Sequence, residues 1–337
     1  MKILITGSNG FLGTAVVERL LVHGHRDLRC FVRAGSKLAR LEEITAKFPD
    51  AKVEIFVGSL GTKEGAAAAI EGVDLILHLA AAMNGAAADM SLGTVVASKN
   101  LLEAIVARKP LLKVVLVSSF GVYGVGGLPK GHLVDETPPL EPHPERRDLY
   151  SQTKLRQDKL FQEYRDKHGV PVVILRPGVI YGPGGSAFSS RVGMSLFGVF
   201  LHLGRSNILP LTYVDNCAEA IVLAAFRDDA NGQAFNVVDD DLPTCKQYLE
   251  GYKQNVRPIR SVSLPYAATQ ALSVLVEKYH AYSKGQLPAI FTPYKTATSW
   301  RGNRFENRKL KGLGWRPLVS TSEGLRRTFE YLKASGK

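Results

Sequence analysis

Short apolar, β-branched runs recur along the first half of the chain at 2–6, 28–32, 53–57, 73–79, 113–117 and 171–175. Between them lie stretches of helical length, notably 62–71, 92–108 and 149–168, with apolar residues recurring at helical spacing, as at Phe11, Leu12, Val16, Leu20 and Leu21. Continuous apolar strands alternating with amphipathic helices predict a parallel sheet covered on both faces. Right-handed crossovers turn such a series into a doubly wound α/β sheet, with its ligand beyond the carboxyl ends of the strands.

After about residue 176 the alternation loosens into Gly- and Pro-rich turns, an apolar stretch at 192–203 and a region at 239–318 without strand-helix alternation. The pattern therefore predicts a dinucleotide-binding type of domain over 1–175, with returns near 210–238 and 320–337. A smaller, mostly α substrate lobe is predicted over 176–209 and 239–319.

At 337 residues with 45% hydrophobic and 22% charged side chains, the composition is that of a folded protein. A formal charge of +12 favours an anionic small molecule, and the basic residues are too dispersed to predict nucleic-acid binding. Cys30, Cys217 and Cys245 lack paired metal-site spacing, so no metal and a reducing, cytoplasmic setting are expected. Neither a signal-peptide core nor a run of about 18 unbroken apolar residues is visible, which argues against integral membrane insertion.

The chemistry begins at Thr6-Gly7-Ser8-Asn9-Gly10-Phe11-Leu12-Gly13, directly after the first strand and at the mouth of a helix. Glycines let the backbone turn tightly and approach a pyrophosphate, while a helix amino terminus offers free N–H groups and partial positive charge. At the end of the second strand stands Arg33, with no acidic residue until Glu42. A guanidinium suits a 2′-phosphate where an acid would bind a 2′-hydroxyl, so NADP is expected ahead of NAD.

Tyr150 and Lys154 share one helix face at i, i+4, and Ser119 follows the fifth strand. An ammonium and a cationic nicotinamide lower the pKa of a phenol, which makes Tyr150 a candidate proton carrier while hydride moves.

With these motifs in place, the chain resembles the extended short-chain dehydrogenase/reductase superfamily, which includes nucleotide-sugar epimerases and dehydratases, dihydroflavonol reductases and 3β-hydroxysteroid dehydrogenases. The resemblance rests on TGSNGFLG at 6–13, HLAA at 78–81, KNLLEA at 99–104, VSSFGVYG at 117–124, YSQTK at 150–154, RPGVIYGPG at 176–184 and YVDNCAEA at 213–220. It implies a Rossmann fold. It also implies Ser119 as the substrate-orienting hydroxyl, Tyr150 as acid/base and Lys154 as its ribose-binding partner.

For the cofactor it implies Gly7, Asn9, Gly10, Phe11, Leu12 and Gly13 at the pyrophosphate, Ala80 and Ala81 at a ribose, and Pro177 and Gly178 beside the nicotinamide. Two departures stand out: Ser59-Leu60 where Asp often bonds adenine, and Thr94 where Asn is common. Phe120 and Gly121 occupy the positions where dehydratases carry an acidic pair, which disfavours dehydration.

The expected activity is interconversion of a secondary alcohol and a ketone on a small or steroid-like substrate. One alternative is a nucleotide-sugar epimerase clamping a diphosphate with Arg191, Arg205, Lys253, Arg257 or Arg260; another is a non-catalytic dinucleotide sensor. The stretch 262–276 with Tyr279 and Tyr282 is expected to form a lid over the substrate pocket, rather than a membrane-surface helix. Pairing through the helices 92–108 and 149–168 makes a homodimer the expected assembly.

Overall fold

The structure, a computed structural model, describes residues 1–283 and 292–336. Seven strands form one sheet: β1 (Ile3–Thr6), β2 (Asp27–Val32), β3 (Lys52–Val57), β4 (Leu75–His78), β5 (Lys113–Val117), β6 (Val172–Pro177) and β7 (Ala234–Val237). Their order is β7-β6-β5-β4-β1-β2-β3 and every pairing is parallel. The chain winds outward from β1 through β2 and β3, then crosses back to β4 and continues the other way. The strand order therefore reverses between β1 and β4, and a crevice opens there beyond their carboxyl ends.

The central strands are buried on both faces, which is why they read as unbroken apolar runs. Two apolar layers result: one beneath helices α1 (Phe11–Val22) and α4 (Val214–Ala225), the other beneath α2 (Ala97–Ala107) and α3 (Leu149–His168). The stretch Ala87–Ala107 is long and apolar enough to cross a membrane, yet Leu101, Leu102 and Ile105 are wholly buried against the sheet. Helix α3 starts at Asp148, whose carboxylate accepts from Ser151 N–H at 2.9 Å, and ends at Gly169 with φ 68°, a left-handed stop that glycine adopts freely.

Beyond β6 the chain carries a three-stranded sheet built from the hairpin Gly193–Leu196/Val199–His202 and the strand Ser261–Ser263. The apolar stretch 192–203 is thus a hairpin, and its tip, Phe197, is 97% exposed. Helix α5 (Tyr266–Tyr282) packs on α6 (Pro293–Trp300). Strand β7 and the helix Thr321–Ala334 lie with the main sheet layers, so the chain leaves and re-enters the doubly wound unit.

Candidate active site

One large cavity, about 1210 Å³, opens along the crevice between the two halves of the sheet. Every residue singled out from the sequence for the cofactor or the chemistry lines it: Gly7, Asn9, Gly10, Phe11, Leu12, Gly13, Arg33, Ser59, Leu60, Ala80, Ala81, Ser119, Tyr150, Lys154, Pro177 and Gly178. Of the five basic residues named as diphosphate clamps, only Arg191 lines it; Arg205, Arg257 and Arg260 are exposed and Lys253 bonds Ser261. No residue of α5 reaches the cavity, whereas Thr298 and Ser299 of α6 do, so the lid expected of 262–276 is displaced by one helix.

At the glycine turn, Gly7 has φ 73°, and a Cβ on Gly13 would sit 2.0 Å from the Gly7 carbonyl oxygen. The turn is thus closed to side chains on its inner side. Gly10 begins α1 with no side-chain cap and no acidic residue in the first turn. Uncapped N–H groups and an uncompensated helix dipole facing a side-chain-free cradle fit a pyrophosphate. Arg33 follows β2, is exposed, and reaches the same cavity. Ser59 and Leu60 line the adjoining wall, where Asn100 Nδ2 donates to the Leu60 carbonyl at 2.9 Å. Thr94 sits in a π-helical turn, Leu92–Val96, where its hydroxyl accepts from Ala82 N–H at 2.9 Å and so holds the loop after β4.

Ser119 leaves β5 extended and caps a short helical turn, accepting from Gly121 N–H at 3.1 Å, and it lines the same cavity as Tyr150. The ammonium of Lys154 lies one turn deeper. It donates to the Val117 carbonyl and to Gln157 Oε1, both at 2.6 Å. Burial pushes its pKa down to about 7, opposed by the carboxylate of Asp158.

The phenol differs from expectation. Burial raises the Tyr150 pKa, the Ser119 side chain opposes that rise, and Asp148 adds to it. The Lys154 ammonium is turned toward Val117 and Gln157.

Sequence reasoning passed over Gln157, whose amide bonds Ser98 Oγ at 2.7 Å while His78 bonds both Ser98 (2.9 Å) and Thr6 (2.8 Å). Its i+3 spacing from Lys154 was the available signal. Arg147 was missed as well: it precedes α3, lines the cavity and pairs with Glu141 at 2.9 Å. Beneath the site, Asp158 holds Arg176 through two contacts of 3.0 Å and accepts from Ser118 Oγ at 2.6 Å, so Ser118 supports α3 rather than facing the cavity centre.

The model of the NAD dependent epimerase/dehydratase family matches residues 3–237. The chain belongs to that family. It is 28% identical to a decarboxylating sterol-4-alpha-carboxylate 3-dehydrogenase of Candida albicans over 98% of this chain and 97% of that one. It is 27% identical to a 3-beta-hydroxysteroid dehydrogenase of Mycolicibacterium neoaurum over 98% and 90% of the respective lengths. Among solved structures, a Thermus thermophilus UDP-glucose 4-epimerase in complex with NAD superposes with a TM-score of 0.70 at 22% identity, covering 99% of this chain and all of that one. At that identity the likeness establishes the fold, which is shared by enzymes of this NAD-dependent family.

Proposed function

We propose that this enzyme is an NAD(P)-dependent oxidoreductase that interconverts a secondary alcohol and a ketone on a steroid-like substrate. The observation that carries the reading is the convergence of Ser119, Tyr150 and Lys154 on one stretch of the cavity wall. Bound dinucleotide supplies the hydride acceptor or donor. Ser119 orients the reacting oxygen, Tyr150 passes the proton to or from it, and Lys154 holds the adjacent ribose and its share of positive charge. Gly7, Asn9, Gly10, Phe11, Leu12 and Gly13 would hold the pyrophosphate, Ala80 and Ala81 the ribose, Ser59 and Leu60 the adenine, and Pro177 and Gly178 the nicotinamide.

Two relatives named for oxidation at a sterol or steroid 3-position, matched end to end, support an alcohol dehydrogenase over an epimerase. So does the cavity, which recruits one of the five basic residues a diphosphate would need. An exposed Arg33 with no acidic neighbour after β2 supports NADP as the preferred cofactor. The same proposal includes a cytoplasmic setting, consistent with three free thiols, and a homodimer, for which Val96 of the π-helical turn leaves exposed apolar surface.

Tyr150→Phe tests the reading. Substrate-dependent reduction of added dinucleotide should fall by about 10²–10⁴-fold while dinucleotide affinity stays within a few-fold. Undiminished turnover would remove the proposal, and turnover of a nucleotide-sugar without net change in nicotinamide absorbance would favour the epimerase.

A further inference from the structure

In the hairpin Gly193–Leu196/Val199–His202, Leu196 pairs with Val199, so the loop between the strands is the dipeptide Phe197-Gly198. Both residues have positive φ, 48° and 78°. Tight hairpin turns of this kind favour Asn-Gly, because a bulky side chain fits the left-handed region poorly. Phe197 is also 97% exposed, and none of the apolar clusters of the described residues includes it. The ring is thus unsuited both to its backbone and to water.

Other apolar groups surround it on the same small lobe. Register sets Leu201 opposite both Met194 and Val262, and Leu196 lies two positions from Met194, so the four share one face of the three-stranded sheet. Met194 and Leu201 are covered, packing with Tyr266 and Val276 of α5 around Leu203 and Trp300, whereas Leu196 and Val262 stay exposed. On α5 itself Thr269 and Ser273 are buried, while Leu272, Leu275, Tyr279 and Tyr282, at spacings of three and four, form an exposed stripe. No residue of α5 lines the cavity, which leaves this stripe without the lid role expected of it.

The charge of the lobe has one sign. Segments 192–214 and 251–276 build the hairpin, the third strand and most of α5; they contain no Asp or Glu and carry Arg205, Lys253, Arg257 and Arg260. Arg260 directly precedes the third strand, and its carbonyl accepts from Phe200 N–H at 2.9 Å, which sets this exposed cation beside the hairpin tip.

We propose that this face is a peripheral docking surface for an anionic lipid bilayer, with Phe197 as the wedge that enters the acyl boundary and Arg260 at the headgroup level. A fluid bilayer takes up a protruding ring without a preformed pocket, and exposed Leu and Tyr flanked by basic residues suit its interface. A second copy of this chain would instead bring like charges together. The proposal is independent of the reaction assigned above.

The test is co-sedimentation of the full chain with phosphatidylcholine vesicles, with and without about 30% phosphatidylserine. The wild-type protein should pellet with the anionic vesicles and stay in solution with the neutral ones. Phe197→Asn should lower the partition coefficient at least about tenfold. Its urea midpoint should stay the same or rise, since Asn suits the turn, so lost binding cannot be ascribed to misfolding. Arg260→Gln should weaken binding about fivefold, and the emission of Phe197→Trp should move to the blue when anionic vesicles are added. Binding unaltered in Phe197→Asn, equal binding to neutral and anionic vesicles, or binding to neither would each overturn the proposal. A dimer that Phe197→Asn converts to monomer in sedimentation velocity, with no vesicle binding, would assign the tip to a second copy instead.

Discussion

The ammonium of Lys154 is 2.6 Å from Gln157 Oε1, one turn along the same helix. That contact ties a candidate catalytic cation to a buried chain of polar groups ending at His78 and Thr6. The amide is an acceptor for Lys154 on one side and a donor to Ser98 and the Ala80 carbonyl on the other, so its orientation follows from its partners.

Replacing Gln157 with Leu removes one of the two acceptors of the Lys154 ammonium while leaving burial in place. Losing that acceptor favours the neutral amine, so the pKa, already down to about 7, should fall further. Activity that needs the charged lysine should then be lost at lower pH as the solution is made alkaline. We expect the alkaline limb of kcat/KM to move down by about half a unit or more. An unmoved limb would show that Gln157 is only packing.

Arg33→Ala should raise KM for NADP by about 10–100-fold while changing KM for NAD little, because only the former carries the extra phosphate. Steady-state kinetics with both cofactors checks this. An equal effect on both would mean that Arg33 does not meet the 2′-phosphate.

Gly13→Ala places a methyl group 2.0 Å from the Gly7 carbonyl oxygen, a contact with rigid backbone on both sides. The turn must open, so dinucleotide affinity should drop more than about tenfold. Titration of the dinucleotide by fluorescence or calorimetry reads the loss.

Asp158→Ala should destabilise the protein by about 3–5 kcal/mol, because Arg176 is left charged and buried. The double variant Asp158→Ala/Arg176→Met should recover part of that loss in urea denaturation. No recovery would assign the effect to the Ser118 and Gln162 bonds of Asp158 instead.

His78 is wholly buried, and burial, with Lys154 nearby, lowers its pKa to about 3. As pH falls from about 6.5 toward 3, the unfolded chain takes up a proton at this residue and the folded chain does not. The neutral ring's contribution is present above that window and is lost progressively within it, by about 1.4 kcal/mol per pH unit. His78→Gln should therefore show a shallower fall in urea midpoint between about pH 6 and 4 than the wild-type protein. Parallel curves would show that His78 titrates alike in both states.

The sequence by itself determined the doubly wound sheet, the glycine turn, the placement of Ser119 beyond a strand end and that of Tyr150 and Lys154 on one helix. Those features rest on local rules: strand and helix periodicity, the steric need for Gly13 beneath the Gly7 carbonyl, and the fact that a residue following a parallel strand emerges at its carboxyl edge. The hairpin at 193–202 was illegible because a short apolar run reads alike as core, helix or strand until it finds a partner.

Tertiary structure alone decided the direction of the Lys154 ammonium, the neutralisation of Arg147 by Glu141, and which of five scattered cations lines the cavity. Each depends on groups brought together across many residues of chain, such as Trp300 anchoring Arg191. Charge pairing and desolvation act through space, and spacing along the chain carries no record of what will be buried beside what.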